Sequence, residues 1–371
     1  MNGTCNNLNH PTWGSTYECY MRFQPAFYEG YDEFRKSVTG YPLPEPREIT
    51  LKIFTDQYEP SPKVTFMFSI YGLSVAHDVS RALNINPTKQ CCEPRNRYQS
   101  FCKPMFLKPD DPFYSKFQWK CLGFRRTQDC NVCNTTKREQ KNGVTAALDG
   151  SFIYGIDDHV AKELRTNDGT GKLLSNFTSQ GELLPIDNDP FGPFCPVKRE
   201  DVCFLSGDKR VNLHATLTGL QTMYLREHNR IASKLKTLNP HWEEERLYQE
   251  ARRLNIALLQ CITFKEYLPV LLGPYLMDLF DLSVKSGSDS SKYNPNIRLG
   301  IRNEFACAGF RLHSMIASHV GAMEQRFKNM YLNTELIWKG HAGQIMKGIC
   351  QAPSERFDRW CVEDITNNLF Q

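Results

Sequence analysis

LTGLQTMYLREHNRIASKLKTLNP, residues 217–240, decides the fold class. Leu217, Leu220, Tyr224, Ile231, Leu235 and Leu238 recur at three-, four- and seven-residue spacing, which puts them on one face of a helix. The Asn-Pro pair then supplies a proline stop. Working outward, EEERLYQEARRLNIALLQCITFKEYLP (243–269) repeats the pattern and predicts a second amphipathic helix ending before Pro269. FACAGFRLHSMIASHVGAM (305–323) predicts a third, and Val64–Val79, with Phe66, Ile70, Leu73 and His77 in register, a shorter one. No alternation of strands and helices and no internal repeat is present. The expectation is a mainly α protein, one domain over residues 1–371, with long loops between its helices.

Those loops carry most of the cysteines. Residues 1–62 read as an extended segment over the core, 86–143 as an irregular region pinned by disulfides, and 175–208 as loop, with Cys195 and Cys203 near enough to close a small ring. Fourteen cysteines in 371 residues point to an oxidising compartment. The single CxxC at Cys130 and Cys133 could be read as zinc spacing, but disulfides explain the irregular spacing better. Sequons at Asn2, Asn134 and Asn176 also fit a secreted glycoprotein. MNGTCNNLNHPTWG has no charged leader followed by an apolar stretch, so Met1 is read as an internal methionine of a longer chain. A net charge of +4 without a basic block implies neither nucleic acid nor a membrane surface. No apolar run approaches the roughly 18 residues of a membrane span.

Three places carry candidate chemistry. YGLSVAHDVS (71–80) ends an apolar helix with His77 on the buried stripe and Asp78 beside it. NGVTAALDGSFIYG (142–155) sets Thr145, Asp149 and Ser151 at alternating positions of a turn. His313 sits beside the apolar stripe of the third predicted helix, near the small residues Ala306 and Gly309. Taken alone, a histidine so placed is more often a hydrogen-bonded core residue than a ligand.

LREHNRIA (225–232), LNPHWEEERLYQEAR, YLPVLLG and AGFRLHSMI together resemble the animal haem peroxidases, and the resemblance runs from GTCNNLNHPTWG (3–14) to the last residues. It implies that His313 is the proximal ligand of haem b, whose other ring nitrogen needs an acceptor. It implies that His77 is the distal acid-base group and that Arg210, in SGDKRVNL (206–213), stabilises the charge developing as peroxide is cleaved and helps bind an anionic donor. The same resemblance implies a calcium site in which Asp78 joins the loop TAALDGS: Thr145, Asp149 and Ser151 by their side chains and Ala147 by its carbonyl. That is an all-oxygen set suited to a hard cation.

The chain departs from the family at three positions. Ala76 and Leu213 stand where mammalian members tether the haem through esters, and Leu73 replaces a glutamine that organises water and halide. The resemblance then implies a haem held by His313 and packing alone, and no longer implies halide oxidation. The asparagine that partners the proximal histidine in the family lies downstream of the matched region, and the resemblance leaves the pairing of Cys350 and Cys361 open. The resulting expectation is a secreted peroxidase that reduces hydrogen peroxide and oxidises small electron donors. The competing reading is an inactive peroxidase fold that binds an extracellular-matrix or cell-surface partner. No RGD or KGD tripeptide supports it.

Overall fold

In the computed structural model, residues 1–84, 90–130, 137–189, 195, 202–284, 293–310, 312–321 and 325–369 are described. Nine α-helices occur among them: α1 Pro46–Ile53, α2 Phe66–Val79, α3 Ser151–Tyr154, α4 Asp158–Glu163, α5 Ala215–Leu238, α6 Glu244–Ile262, α7 Leu268–Leu279, α8 Ala342–Gln351 and α9 Glu363–Thr366. The strands form four two-stranded antiparallel pairs. One of them joins Pro60–Thr65, which leads into α2, to Pro353–Glu355, which follows α8. The mainly α expectation holds.

α5 stops at Leu238, with Asn239 as cap ahead of Pro240. Its apolar face supplies Leu220, Tyr224 and Leu225 to a core shared with Phe66 and Ile70 of α2, Phe152 and Tyr154 of α3, and Tyr248 and Leu259 of α6, and Leu217 is also fully buried. The polar residues of LREHNRIA clamp the loop from Gly171 to Leu184. Arg226 Nε donates to Glu182 O (2.6 Å), and Asn229 both accepts from Leu173 N (2.8 Å) and donates to Leu173 O (3.1 Å). His228 Nε2 lies 3.0 Å from Gly171 O, an obligate acceptor, so Nε2 carries the proton and Nδ1 takes the Tyr154 hydroxyl at 2.9 Å. Burial lowers the His228 pKa to about 4, which keeps the ring neutral. The block that identifies the fold is therefore a loop clamp built from one helix face.

Several expectations are corrected. The second long helix does not end before Pro269: a π turn, Thr263–Tyr267, carries it into α7, and the wider turn accommodates a proline at the start of the next helix. The run from Glu244 to Leu279 is thereby 36 residues, long and apolar enough to cross a bilayer by length and composition, although no single apolar stretch of the sequence suggested it. A break at Gly273, with φ 74°, interrupts it. Among the described residues of 305–323 the third predicted helix is not continuous. Residues 305–309 form a π turn and His313–Met315 a 3-10 turn, and His319–Val320 then pairs with Gln325–Arg326, so tertiary pairing overrides the helical spacing. Residues 1–62 include α1, and 175–208 includes the hairpin Asn176–Thr178/Gly181–Leu183.

Four disulfides are formed among the described residues: Cys19–Cys130, Cys91–Cys102, Cys92–Cys121 and the expected ring Cys195–Cys203. Cys130 is therefore not a zinc ligand; Cys133 and the sequon at Asn134 lie outside the described residues. Cys350 and Cys361 are unpaired, the first exposed and the second buried.

Candidate functional site

The C-terminal end of α2 organises the site. Helix geometry leaves its last carbonyls without intrahelical partners. Three side chains from distant sequence take them, Ser151 Oγ donating to Asp78 O at 2.9 Å. Arg210 Nη2 donates to His77 O and Nη1 to Ser80 O, both at 3.0 Å, while Asn142 Nδ2 donates to Val79 O at 3.0 Å. Asn142 Oδ1 accepts in turn from Arg81 N (2.8 Å) and from the Tyr20 hydroxyl (3.2 Å), which also bonds Ser80 Oγ at 2.9 Å. His77 is 3% exposed and Ala76 1%. The sequence alone would leave Arg210 on the surface; its side chain is 14% exposed.

Asp208 fixes Arg210. Its Oδ1 accepts from Arg210 N (2.8 Å) and Nε (2.9 Å), and its Oδ2 from Nη2 (2.7 Å). Burial alone would raise the Asp208 carboxyl, but the Arg210 ion pair and hydrogen bonds, with help from Arg81, outweigh it and hold the group well below the usual carboxylate range. Gly207 allows the approach, because a Cβ there would run into the backbone of Ser151 and Gly155.

Asp78 turns the other way, into the loop 145–151. It is fully buried, and its Oδ1 accepts from Ser151 Oγ (3.0 Å) and its Oδ2 from Gly150 N (3.1 Å). Asp149 Oδ1 accepts from Ser151 N at 3.1 Å. The carboxyls of Asp78 and Asp149 are both raised, first by burial and, for Asp78, also by the neighbouring Asp149 charge. Thr145 Oγ1 is buried and makes no well-formed hydrogen bond among the described residues, although it lies close enough to the Asp149 carboxyl to oppose its rise. Two desolvated carboxylates, a bonded serine and a buried threonine hydroxyl without a well-formed bond make an oxygen-rich set that fits a hard cation. Ala147 lies within this loop. No group of three or more His, Cys, Asp or Glu side chains is found among the described residues, so hydroxyl and carbonyl oxygens would have to complete the set.

His313 opens the 3-10 turn His313–Met315 and is half-buried. This turn is attached to α2 at the opposite end from His77: Ser69 Oγ (3.2 Å) and Ser354 Oγ (2.5 Å) both donate to Met315 O. Ser69 and His77 are eight residues apart, or about 12 Å along a helix. One helix thus carries one imidazole and anchors the turn that carries the other. The donor set fits haem, with one imidazole for the iron, a second for acid-base work and a fixed arginine beside it. Ala76 and Leu213 offer no carboxylate for an ester. A separate cavity of about 380 Å³, lined in part by Glu48, Arg47, Phe106, Lys108 and Asp111, contains no candidate site residue, and its Arg47–Asp111 and Lys108–Glu48 pairs satisfy each other.

Sequence reasoning missed Asn142, Asp208, Ser69 and Ser354. Only Asp208 left a signal, an aspartate two residues before Arg210 in a turn-forming SGD. Another miss is His214, the cap of α5, which stacks on Phe327 with ring centroids 3.9 Å apart and whose pKa burial lowers to about 4.

Fold and site together define a helical peroxidase-type scaffold with disulfide-tied loops. The sequence model of the animal haem peroxidase family matches residues 1–371, and the chain belongs to that family. It is 32% identical to a chorion peroxidase of Aedes aegypti, covering 100% of this chain and 50% of the relative, and 31% identical to human myeloperoxidase, covering 100% and 53%. The chain thus spans about half the length of these relatives. Peroxidase A from Dictyostelium discoideum superposes with a TM-score of 0.79 at 25% identity, covering 100% of this chain and 71% of that one. A fatty acid α-dioxygenase from Arabidopsis thaliana shares the fold, with a TM-score of 0.70 at 18% identity, covering 95% and 56%.

Proposed function

We propose that the protein is a secreted haem peroxidase that reduces hydrogen peroxide and oxidises small phenolic or similar donors, with haem b held without covalent tethers and calcium beside it. Family membership supports the peroxidase role. The observation that carries the finer reading is the juncture at the end of α2, where His77, Arg210 and Asp78 meet.

When bound, haem supplies the iron at which peroxide binds and the redox capacity that cleaves its O–O bond. His313 would hold it through an imidazole nitrogen. His77 would take the proton from the near oxygen of peroxide and return it to the far one, which leaves as water. Arg210 has five N–H groups. Four are engaged by Asp208, His77 O and Ser80 O, which leaves one Nη1 hydrogen to face the charge developing in the reaction. Calcium would bind Asp78, Thr145, Ala147, Asp149 and Ser151 and hold the residue after His77 in place. Four disulfides and the relatives' names fit an extracellular setting. Reconstitution with haem, followed by the Soret band and guaiacol turnover, tests the proposal; haem binding without turnover rejects it.

Leu73, Ala76 and Leu213 favour a second reading, an inactive relative that binds a matrix or cell-surface partner. Failure to bind haem together with binding to cells would select it.

A further inference from the structure

We propose that Asp208 is a positioning residue for the distal side of the site: it fixes the direction of the last available Arg210 N–H and the conformation of the turn bearing His77. The inference rests on the peroxidase reading above. Asp208 is 2% exposed and caps the 3-10 turn Lys209–Asn212 by accepting Arg210 N. The same carboxylate grips the guanidinium by two further bonds, to Nε and Nη2. Both the backbone and the side chain of Arg210 are therefore set by one group, and a planar guanidinium held on two edges cannot swing.

Arg210 passes this constraint on. Its Nη1 and Nη2 hold the carbonyls of Ser80 and His77. Arg81, the residue after Ser80, returns to the Asp208 carboxylate at 3.8 Å. The loop of contacts, from Asp208 to Arg210 to the end of α2 and back through Arg81, closes around the turn that carries His77. Freed of Asp208, Arg210 could re-aim its hydrogens and release both carbonyls, and the imidazole would lose its fixed orientation without itself being changed.

The test compares wild type with Asp208→Asn and Asp208→Glu in two measurements. One is amide hydrogen exchange at residues 79–81 in the haem-free protein. The other is the rate of cyanide association with the haem-loaded protein across pH, which depends on the distal base and on a donor to the bound anion. For Asp208→Asn, exchange at 79–81 is expected to quicken, and cyanide association at neutral pH to slow with an altered pH profile, each by about tenfold, the worth of one charge-assisted hydrogen bond. Asp208→Glu should recover part of both. Lower folding stability with unchanged exchange at 79–81 and unchanged cyanide kinetics would overturn the proposal. If Asp208→Asn does not fold because two arginines are left facing each other, the double variant Asp208→Asn/Arg81→Gln relieves that repulsion and is judged by the same two criteria. A wild-type protein that takes up no haem would sink the peroxidase reading, while the exchange measurement would still decide the role of Asp208.

Discussion

The two ends of α2 are built differently. At its C-terminal end, His77 sits in a closed lattice in which Arg210, Asn142, Asp208, Tyr20 and Arg81 consume the helix's last carbonyls and one another's hydrogen-bonding groups. Near its N-terminal end, the turn carrying His313 is tied down at Met315 O, shared by two serines, and at Ser314 Oγ, which accepts from Asp358 N at 3.3 Å. In its proposed role, His77 has to hand protons on at a fixed angle, which the many bonds around its turn would serve. In its proposed role, His313 would be oriented by the iron as well as by the protein.

This difference can be broken from either side. The largest effect should come from His313→Ala, which removes the only proposed axial ligand and is expected to abolish haem uptake, read as loss of the Soret band, while leaving the far-UV spectrum of the haem-free protein unchanged. Uptake retained by that variant would refute the proximal assignment.

Calcium removal comes next. Without the cation, Asp78 and Asp149 titrate above their ordinary value near 4. A carboxyl raised in the folded state binds more protons there than in the unfolded chain. Its stabilising effect is therefore complete at low pH and lost as pH rises through the raised value. The chelated protein should melt at progressively lower temperature as pH rises from about 4 toward neutrality. Calcium should cancel that slope, so the Tm gap between the two forms should widen with pH. A gap independent of pH would contradict the site.

A smaller effect is expected from Asn142→Ala, which leaves Val79 O and Arg81 N without their partner and should cost about 1–3 kcal/mol in denaturant unfolding. Smallest is Ser354→Ala on the proximal side. Ser69 still reaches Met315 O, so the loss should be about 0.5–1.5 kcal/mol. Equal costs for the two substitutions would erase the asymmetry between the ends.

Legibility in the sequence followed the range of the interactions. α5 was readable because its apolar spacing, its cap and Pro240 are all local. The loop 145–151 was readable as a unit because Thr145, Asp149 and Ser151 lie within seven residues. By contrast, the segment after Phe305 has helical spacing, yet its backbone is committed to Ser69, Ser354 and the Gln325–Arg326 strand, none of which is near in sequence. Arg210 is the sharpest case. Its role depends on carbonyls about 130 residues earlier, and no periodicity within SGDKRVNL could have indicated them. The family resemblance supplied that residue, and the structure supplied its partners.

The most direct test of the account is guaiacol turnover per bound haem in wild type and His77→Ala, measured on calcium-loaded protein. Measurable turnover is expected in wild type, with a loss of about 10²- to 10⁴-fold in the variant, the range for removing a general acid-base group, and the Soret band and calcium content unchanged. Turnover that survives the substitution, or wild-type protein that holds haem and oxidises nothing, would contradict it.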